Sequence, residues 1–342
     1  MIGDVLTSSS LFELIKTEYP NAILHYVINL HTKPVILHNP FIDELKVVIP
    51  EMEQNVFKLI AFSKSLRVEK YDVVIDLYSV YSSNIISLFC GAKKKISKGK
   101  WYTKFIYDIH IKESREAKTI AGLALENRLK YIVPLGIDRI PVRPKIYLTP
   151  TEKHEAKVYL ETHNCQLDLP LYMISVIGSD LTKTYPFEYM AKVLDDIIDA
   201  QPKAQILFNY IPKQLEDARA VFNLCKYDTQ QQIKLDVFGK SLREFMSITS
   251  YCDALIGNEG GAVNMAKALN VPTFTIFSPW IKKETWSLFE NNTTNVSVHL
   301  KDFQPDWFKG QTTSDLKKNY ANLYQLFSPQ LFKNKLITFL KQ

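Results

Sequence analysis

The sequence predicts an α/β protein of two parallel, doubly wound halves. Three observations carry this. Short apolar runs alternate with helix-compatible stretches along most of the chain. Several runs stop at glycine or hydroxyl-rich turns just before a helix begins. A proline-spaced segment, Pro141, Pro144 and Pro150, divides the 342 residues near the middle. The expected domains are 1–150 and 151–318, with a terminal helical segment at 319–342.

In the first half, Val5–Tyr19 can form a helix with Leu6, Leu11, Leu14 and Ile15 on or near one face, ended by Pro20-Asn21. Ala22–Asn29 then reads as a buried strand. A βαβ unit normally begins with a strand, yet only Met1 and Ile2 precede this helix. The expectation is therefore a sheet without its first strand, or one whose slot another segment fills. Leu45–Ile49 and Tyr71–Leu77 read as further strands, with helices around Gln54–Arg67, Val80–Cys90 and Thr119–Tyr131. Gly91–Lys104 carries six lysines around Trp101 and Tyr102. A charge run of this kind is most often a solvated face. With its aromatics it also suits a rim for an anionic acceptor near a negatively charged leaflet.

The second half opens at Leu171–Ile177 and breaks at Gly178-Ser179-Asp180-Leu181-Thr182-Lys183 before a helix over Phe187–Ala200. Ala204–Tyr210 and Ile233–Val237 follow as strands. The chain is organised around Asp253–Trp280: an apolar run to Gly257, the turn Asn258-Glu259-Gly260-Gly261, a short helix Ala262–Leu269, and a second apolar run Thr273–Phe277. Glycines at a strand-to-helix turn let a ligand approach the backbone, and the helix start offers unpaired N–H groups and a favourable dipole end to a phosphate. A Gly-Gly pair alone is more often only a turn. Asn319–Gln342 reads as terminal helix.

The stretch Ser241–Pro279 resembles the signature of glycosyltransferase family 9, the heptosyltransferase-type enzymes. Ser241-Leu242, Gly257, Gly261, Ala266, Ala268-Leu269, Pro272 and Phe277-Ser278-Pro279 fall in register with it. Glu259 stands where the family usually has Asp, and Asn264 where it usually has His. The resemblance implies a GT-B architecture, two Rossmann-like domains facing across a cleft, with the first binding an acceptor and the second a nucleotide-sugar. It implies a strand directly before the Gly3-Asp4 loop, which this chain lacks. It makes Asp4 the general base and Lys183 the catalytic cation for the departing diphosphate, with Gly178, Ser179, Glu259, Gly260, Gly261 and Asn264 around the donor. Thr7, Ser8, Lys98 and Lys100 are candidate acceptor contacts. Glu216 is the carboxylate nearest the position that holds a ribose in the family. In GT-B folds the terminal helix packs back across the first domain.

Such chemistry needs a base at the acceptor hydroxyl and positive charge or N–H donors for the leaving group. No Asp-x-Asp pair or His/Cys cluster suggests a metal, and no cofactor is implied. The implied partners are a nucleotide-diphosphate sugar resembling ADP-heptose and an anionic glycolipid. Rival readings on the same scaffold are a non-catalytic sugar-nucleotide-binding protein and, ranked lower, a nucleotide-sugar epimerase. A dehydrogenase is disfavoured because no GxGxxG follows a strand.

Composition bounds these readings. Apolar content of 46% with 23% charged residues is ordinary for a soluble globular protein. The formal charge of +6 favours acidic partners but, without a binding motif, not nucleic acid. Cys90, Cys165, Cys225 and Cys252 lie far apart, which suits reduced thiols in a cytoplasmic protein. No apolar run approaches the ~20 residues that span a bilayer, so membrane contact is expected to be peripheral.

Overall fold

The computed structural model describes residues 1–341, which divide into two compact units after Pro144. The division falls a few residues before the expected one, because Thr149 already belongs to the second unit. It caps the helix Pro150–Thr162 through a reciprocal pair with Glu152.

The second unit is a six-stranded, all-parallel sheet. Its strands are β6 (Leu171–Ser175), β7 (Gln205–Phe208), β8 (Ile233–Lys234), β9 (Ala254–Asn258), β10 (Thr273–Ile276) and β11 (Asn295–Val298), in the order β11-β10-β9-β6-β7-β8. Every residue of β6, β7, β9, β10 and β11 is buried. That is why β6, β7 and β9 read as largely apolar runs, whereas β10 and β11 alternate apolar residues with buried Thr, Ser and Asn. The helix Phe187–Ala200 covers the sheet with Met190, Leu194, Ile197 and Ile198.

The terminal segment corrects one expectation. It is broken into Tyr320–Leu326 and Lys333–Leu340 by a turn at Pro329, which cannot continue a helix. Its apolar residues Leu323, Phe327, Phe332, Leu336 and Leu340 belong to the core of the second unit. Phe274 of β10 meets the rings of Phe332 and Phe339 there.

The first unit holds five strands in two separate parallel sheets. β1 (His25–Asn29) pairs with β2 (Glu44–Val48), and β3 (Val73–Asp76), β4 (Lys94–Lys98) and β5 (Ile109–Ile111) form the other sheet. β1 and β3 nevertheless share one apolar cluster: Val27 and Val74 pack around Leu66, Cys90 and Ala92. The Tyr71 hydroxyl, just ahead of β3, lies 2.8 Å from His25 Nδ1 at the start of β1. Among the described residues no strand pairs with β1 opposite β2, or with β3 opposite β4. In chain order this is the place that β6 fills in the second unit.

The opening helix runs over Ile2–Glu18. Its buried serine-rich turn satisfies each hydroxyl by bonding back to the preceding turn: Thr7 to Gly3 O, Ser8 to Asp4 O, Ser9 to Leu6 O and Ser10 to Thr7 O. The helix expected around Gln54–Arg67 is divided at Asn55, whose side chain caps the second piece, Val56–Ser65. All four cysteines are free and buried.

Candidate active site

The order of the second sheet places β6 between β7 and β9, the strands to which the chain runs in opposite directions. Ligands of doubly wound sheets bind outside the carboxyl ends of strands at such a switch point. There the loop after β6 and the turn after β9 are locked together by Asn258. Its Nδ2 donates to Ser175 O and Val176 O at 2.9 Å each, and its Oδ1 accepts the Tyr185 N–H at 2.8 Å. Two glycines permit this close approach. A Cβ on Gly178 would lie 2.3 Å from Lys183 O, and one on Gly257 2.6 Å from Ser175 O.

The locked loop carries Lys183 at the end of a short 3-10 turn that Asp180 caps, accepting the Thr182 N–H at 2.9 Å. The turn after β9 carries Glu259, which is 9% exposed. Lys183 Nζ lies 3.4 Å from Glu259 Oε1, an ion-pair contact without a well-formed hydrogen bond. Burial pushes the Glu259 carboxyl above the usual carboxylate range, and Lys183 pulls it back. Next, Gly260 adopts a φ of 147°, accessible to glycine, and opens the helix Gly261–Ala268 with free space where a side chain would stand. The site therefore offers a cation, a helix start and a buried acceptor oxygen together.

Trp280 completes this cluster. Its indole N–H donates to Thr182 O at 2.9 Å, a carbonyl that also accepts the Ser278 hydroxyl at 2.7 Å. Lys183 Nζ and Lys317 Nζ lie 5.6 and 4.6 Å from its ring centroid. Two ammonium groups thus lie against one indole, beside the carboxylates of Glu259 and Asp180.

In the first unit Asp4 lies within the first helical turn rather than in a loop, and it is buried. Arg128 reaches it from the helix Leu123–Leu129. Nη2 donates to Asp4 Oδ1 at 2.8 Å and to the Tyr78 hydroxyl at 3.0 Å, Nε to Ser8 Oγ at 2.9 Å, and Nη1 to Ala124 O at 2.9 Å. The guanidinium is thus spread over four acceptors, and one oxygen of Asp4 is occupied. Lys100 joins the cluster from the loop after β4, donating to Ser79 O at 2.6 Å and Tyr78 O at 3.4 Å.

The structure brings together Lys183, Glu259, Gly260, Gly261 and Gly178, with Ser179 exposed on the same loop and Asn264 half-buried one helical turn beyond Gly260. It joins Asp4, Ser8 and Lys100 through Tyr78 and Arg128. Thr7 and Ser8 are both corrected as acceptor contacts: they are 1% and 0% exposed, and their hydroxyls donate to Gly3 O and Asp4 O. Lys98 is ion-paired with Glu113. Glu216 is solvent-facing, paired with Arg219, while its neighbour Gln214 reaches the site by donating to Gly178 O at 3.0 Å. Arg128, Tyr78, Asn258 and Lys317 were not singled out as site residues from the sequence. The segment Trp280–Trp286, directly after the Phe-Ser-Pro end of the signature, was expected to close one side of the cleft, and Trp280 lies against Lys183.

A polar cluster at the opposite end of the first unit, His25, Glu44 and Glu69, has the spacing of metal ligands. Lys46 Nζ lies 2.7 Å from Glu44 and 2.6 Å from Glu69 and supplies the cation itself.

Comparison with known proteins gives the family. The family model of glycosyltransferase family 9 (heptosyltransferase) matches residues 59–312. Lipopolysaccharide heptosyltransferase 1 of Campylobacter coli is 25% identical over 289 residues, covering 81% of each chain. Among solved structures, a family 9 glycosyl transferase of Veillonella parvula superposes with a TM-score of 0.81 at 17% identity, over 99% of this chain and 95% of its own. The E. coli heptosyltransferase WaaC, solved with ADP-2-deoxy-2-fluoro heptose, superposes with a TM-score of 0.64 at 14% identity, over 95% of this chain and 96% of its own. The fold is theirs, and the matched span covers most of the sequence: the chain belongs to glycosyltransferase family 9.

Proposed function

We propose that the protein transfers a heptose-like sugar, with inversion and without a metal, from an ADP-heptose-like donor to the core of a lipopolysaccharide or a related anionic glycolipid. The second unit holds the donor and the first presents the acceptor. The reaction is cytoplasmic, with peripheral contact at the inner membrane. One observation carries this reading: a buried carboxylate, Glu259, faces Lys183 beside a glycine-opened helix start at the switch point of a family 9 sheet. Lys183 and the helix start stabilise the departing diphosphate, and Glu259 accepts hydrogen bonds from sugar hydroxyls. The names of the relatives, which are heptosyltransferases, support the choice of sugar. Extending the carboxylate by one methylene relative to the family's usual Asp, with Asn264 for His, tunes the donor pocket.

Asp4 is the proposed base. Arg128 holds Oδ1, and Oδ2, which lies 4.0 Å from the Met1 ammonium, is the oxygen that would take the proton of the acceptor hydroxyl. The same contact favours a second reading, a sugar-nucleotide-binding protein that does not catalyse transfer, since an oriented Asp4 also serves structure. Transfer from ADP-heptose to an acyl-free core acceptor separates them. Asp4→Asn is expected to lower kcat by about 10²–10⁴ while ADP-heptose binding persists, and Lys183→Ala to weaken ADP binding. EDTA is expected to leave turnover unchanged, and the product anomer to be inverted by NMR. Wild-type protein that binds ADP-heptose without transferring it supports the second reading; failure to bind any nucleoside diphosphate rejects both.

A further inference from the structure

The lysine-rich run singled out in the sequence does not form one basic patch. Lys93 pairs with Asp72 before β4 begins, and Lys98 pairs with Glu113. What remains beyond the carboxyl end of β4 is chiefly aromatic. Trp101 is 83% exposed, Phe105 78% and Tyr102 50%. The loop after β3 adds Tyr81 and Val80, 71% and 51% exposed. Lys100 ties the two loops together through Ser79 O, and its ammonium also lies 5.8 Å from the Tyr102 ring. Trp101 and Tyr102 meet edge to face, and Thr103, Ile106 and Tyr107 anchor the segment in the unit.

Rings exposed to this degree are costly in water, and a contiguous group of them marks an interaction surface. We infer that the loops 78–81 and 100–105 form a membrane-docking surface for an anionic bilayer, with Trp101 and Phe105 entering the headgroup–acyl boundary. Tryptophan and tyrosine favour that depth because their rings are apolar with one polar edge. Lys100 and Lys104 stand beside the rings and complement acidic headgroups. The surface adjoins the proposed acceptor side: Tyr78, whose carbonyl Lys100 contacts, places its hydroxyl against Arg128 and Ser8. A glycolipid held in the bilayer would thus meet the Asp4 cluster at the membrane surface. This rests on the peripheral-membrane reading above and names the surface that serves it.

The test is co-sedimentation of the full chain with vesicles of equal parts phosphatidylglycerol and phosphatidylethanolamine, against phosphatidylcholine vesicles, for wild type and the Trp101→Ala/Phe105→Ala variant. The expected result is partitioning onto the anionic vesicles only, weakened roughly tenfold or more in the variant, with ADP binding and thermal melting unchanged. Equal partitioning of variant and wild type overturns this surface while leaving peripheral binding intact. Wild type that binds neither vesicle overturns both. Equal binding to the two vesicle types removes the anionic assignment. Self-association without lipid that disappears in the variant identifies a second copy as the partner instead.

Discussion

The two units carry the same parallel order with different completeness. In the second, β6 lies between β7 and β9, and the whole sheet is sealed. In the first, β1 and β3 each lack a partner on one side, and each buries a single residue, Ile28 and Asp76 respectively. A central parallel strand is buried on both faces and supplies a large share of an α/β core. The first unit buries a charged network, Asp4–Arg128–Ser8–Tyr78, at the start of its first helix. The corresponding turn of the second unit keeps Lys183 and Glu259 only loosely engaged. The two networks differ in how closely their ion pairs are engaged, 2.8 Å for Arg128–Asp4 and 3.4 Å for Lys183–Glu259.

The sharpest way to break that comparison is Arg128→Ala. It leaves Asp4 buried without its counter-charge, which costs about 3–5 kcal/mol when one partner of a buried pair is removed. Calorimetry should show a lower-melting transition for the first unit and an unchanged one for the second. Adding Asp4→Asn should recover part of the loss. If both transitions fall equally, the network does not belong to the first unit alone.

Much of the second unit was legible because its strands are apolar on both faces. Leu171–Ile177 and Ala204–Tyr210 contain β6 and β7 with a residue or two to spare, and the helix Phe187–Ala200 has the predicted bounds. Ile233–Val237 shrank to two residues, since the chain turns at Leu235 and Asp236. β5 and β11 were not foreseen: three and four residues give too little pattern. Lys183 and Glu259 could be found because each follows an apolar strand at a polar turn. Arg128 could not. Its role depends on a contact with a residue 124 positions away, and nothing around Asn127 and Leu129 sets it apart from a surface arginine. Asn258 was hidden for a related reason: an asparagine in a strand-end turn looks like turn chemistry until three backbone partners surround it.

A pH titration sharpens the contrast from the side of the second unit. His299 is 3% exposed and caps a short 3-10 turn by accepting the Lys301 N–H at Nδ1. Burial pushes its pKa down from 6.5 to about 4. The folded value lies below the unfolded one, so its stabilisation is complete above pH 6.5. It is lost as pH falls through that window toward 4, by at most about 3 kcal/mol. Denaturant unfolding of His299→Asn, which keeps a capping oxygen but no titrating ring, should be flatter with pH across this interval. An unchanged slope would place the acid sensitivity elsewhere.

The smallest effect is the most direct probe of the divided sheet. Backbone amides exchange through local opening, and opening is easier where a strand is paired on one side only. Amides of β1 and β3 should therefore exchange at least about tenfold faster than those of β6 and β9, a gap of about 1.4 kcal/mol in opening free energy. The pairs β1–β2 and β3–β4 give an internal control, because β4 is hydrogen-bonded on both sides and should be the slowest strand of the first unit. If β1 and β3 protect their amides as well as β9 does, some segment pairs with their free edges in solution. A short synthetic strand that slows exchange in β1 and β3 together, but not in β5, would show that the opening between them accepts a partner in parallel register.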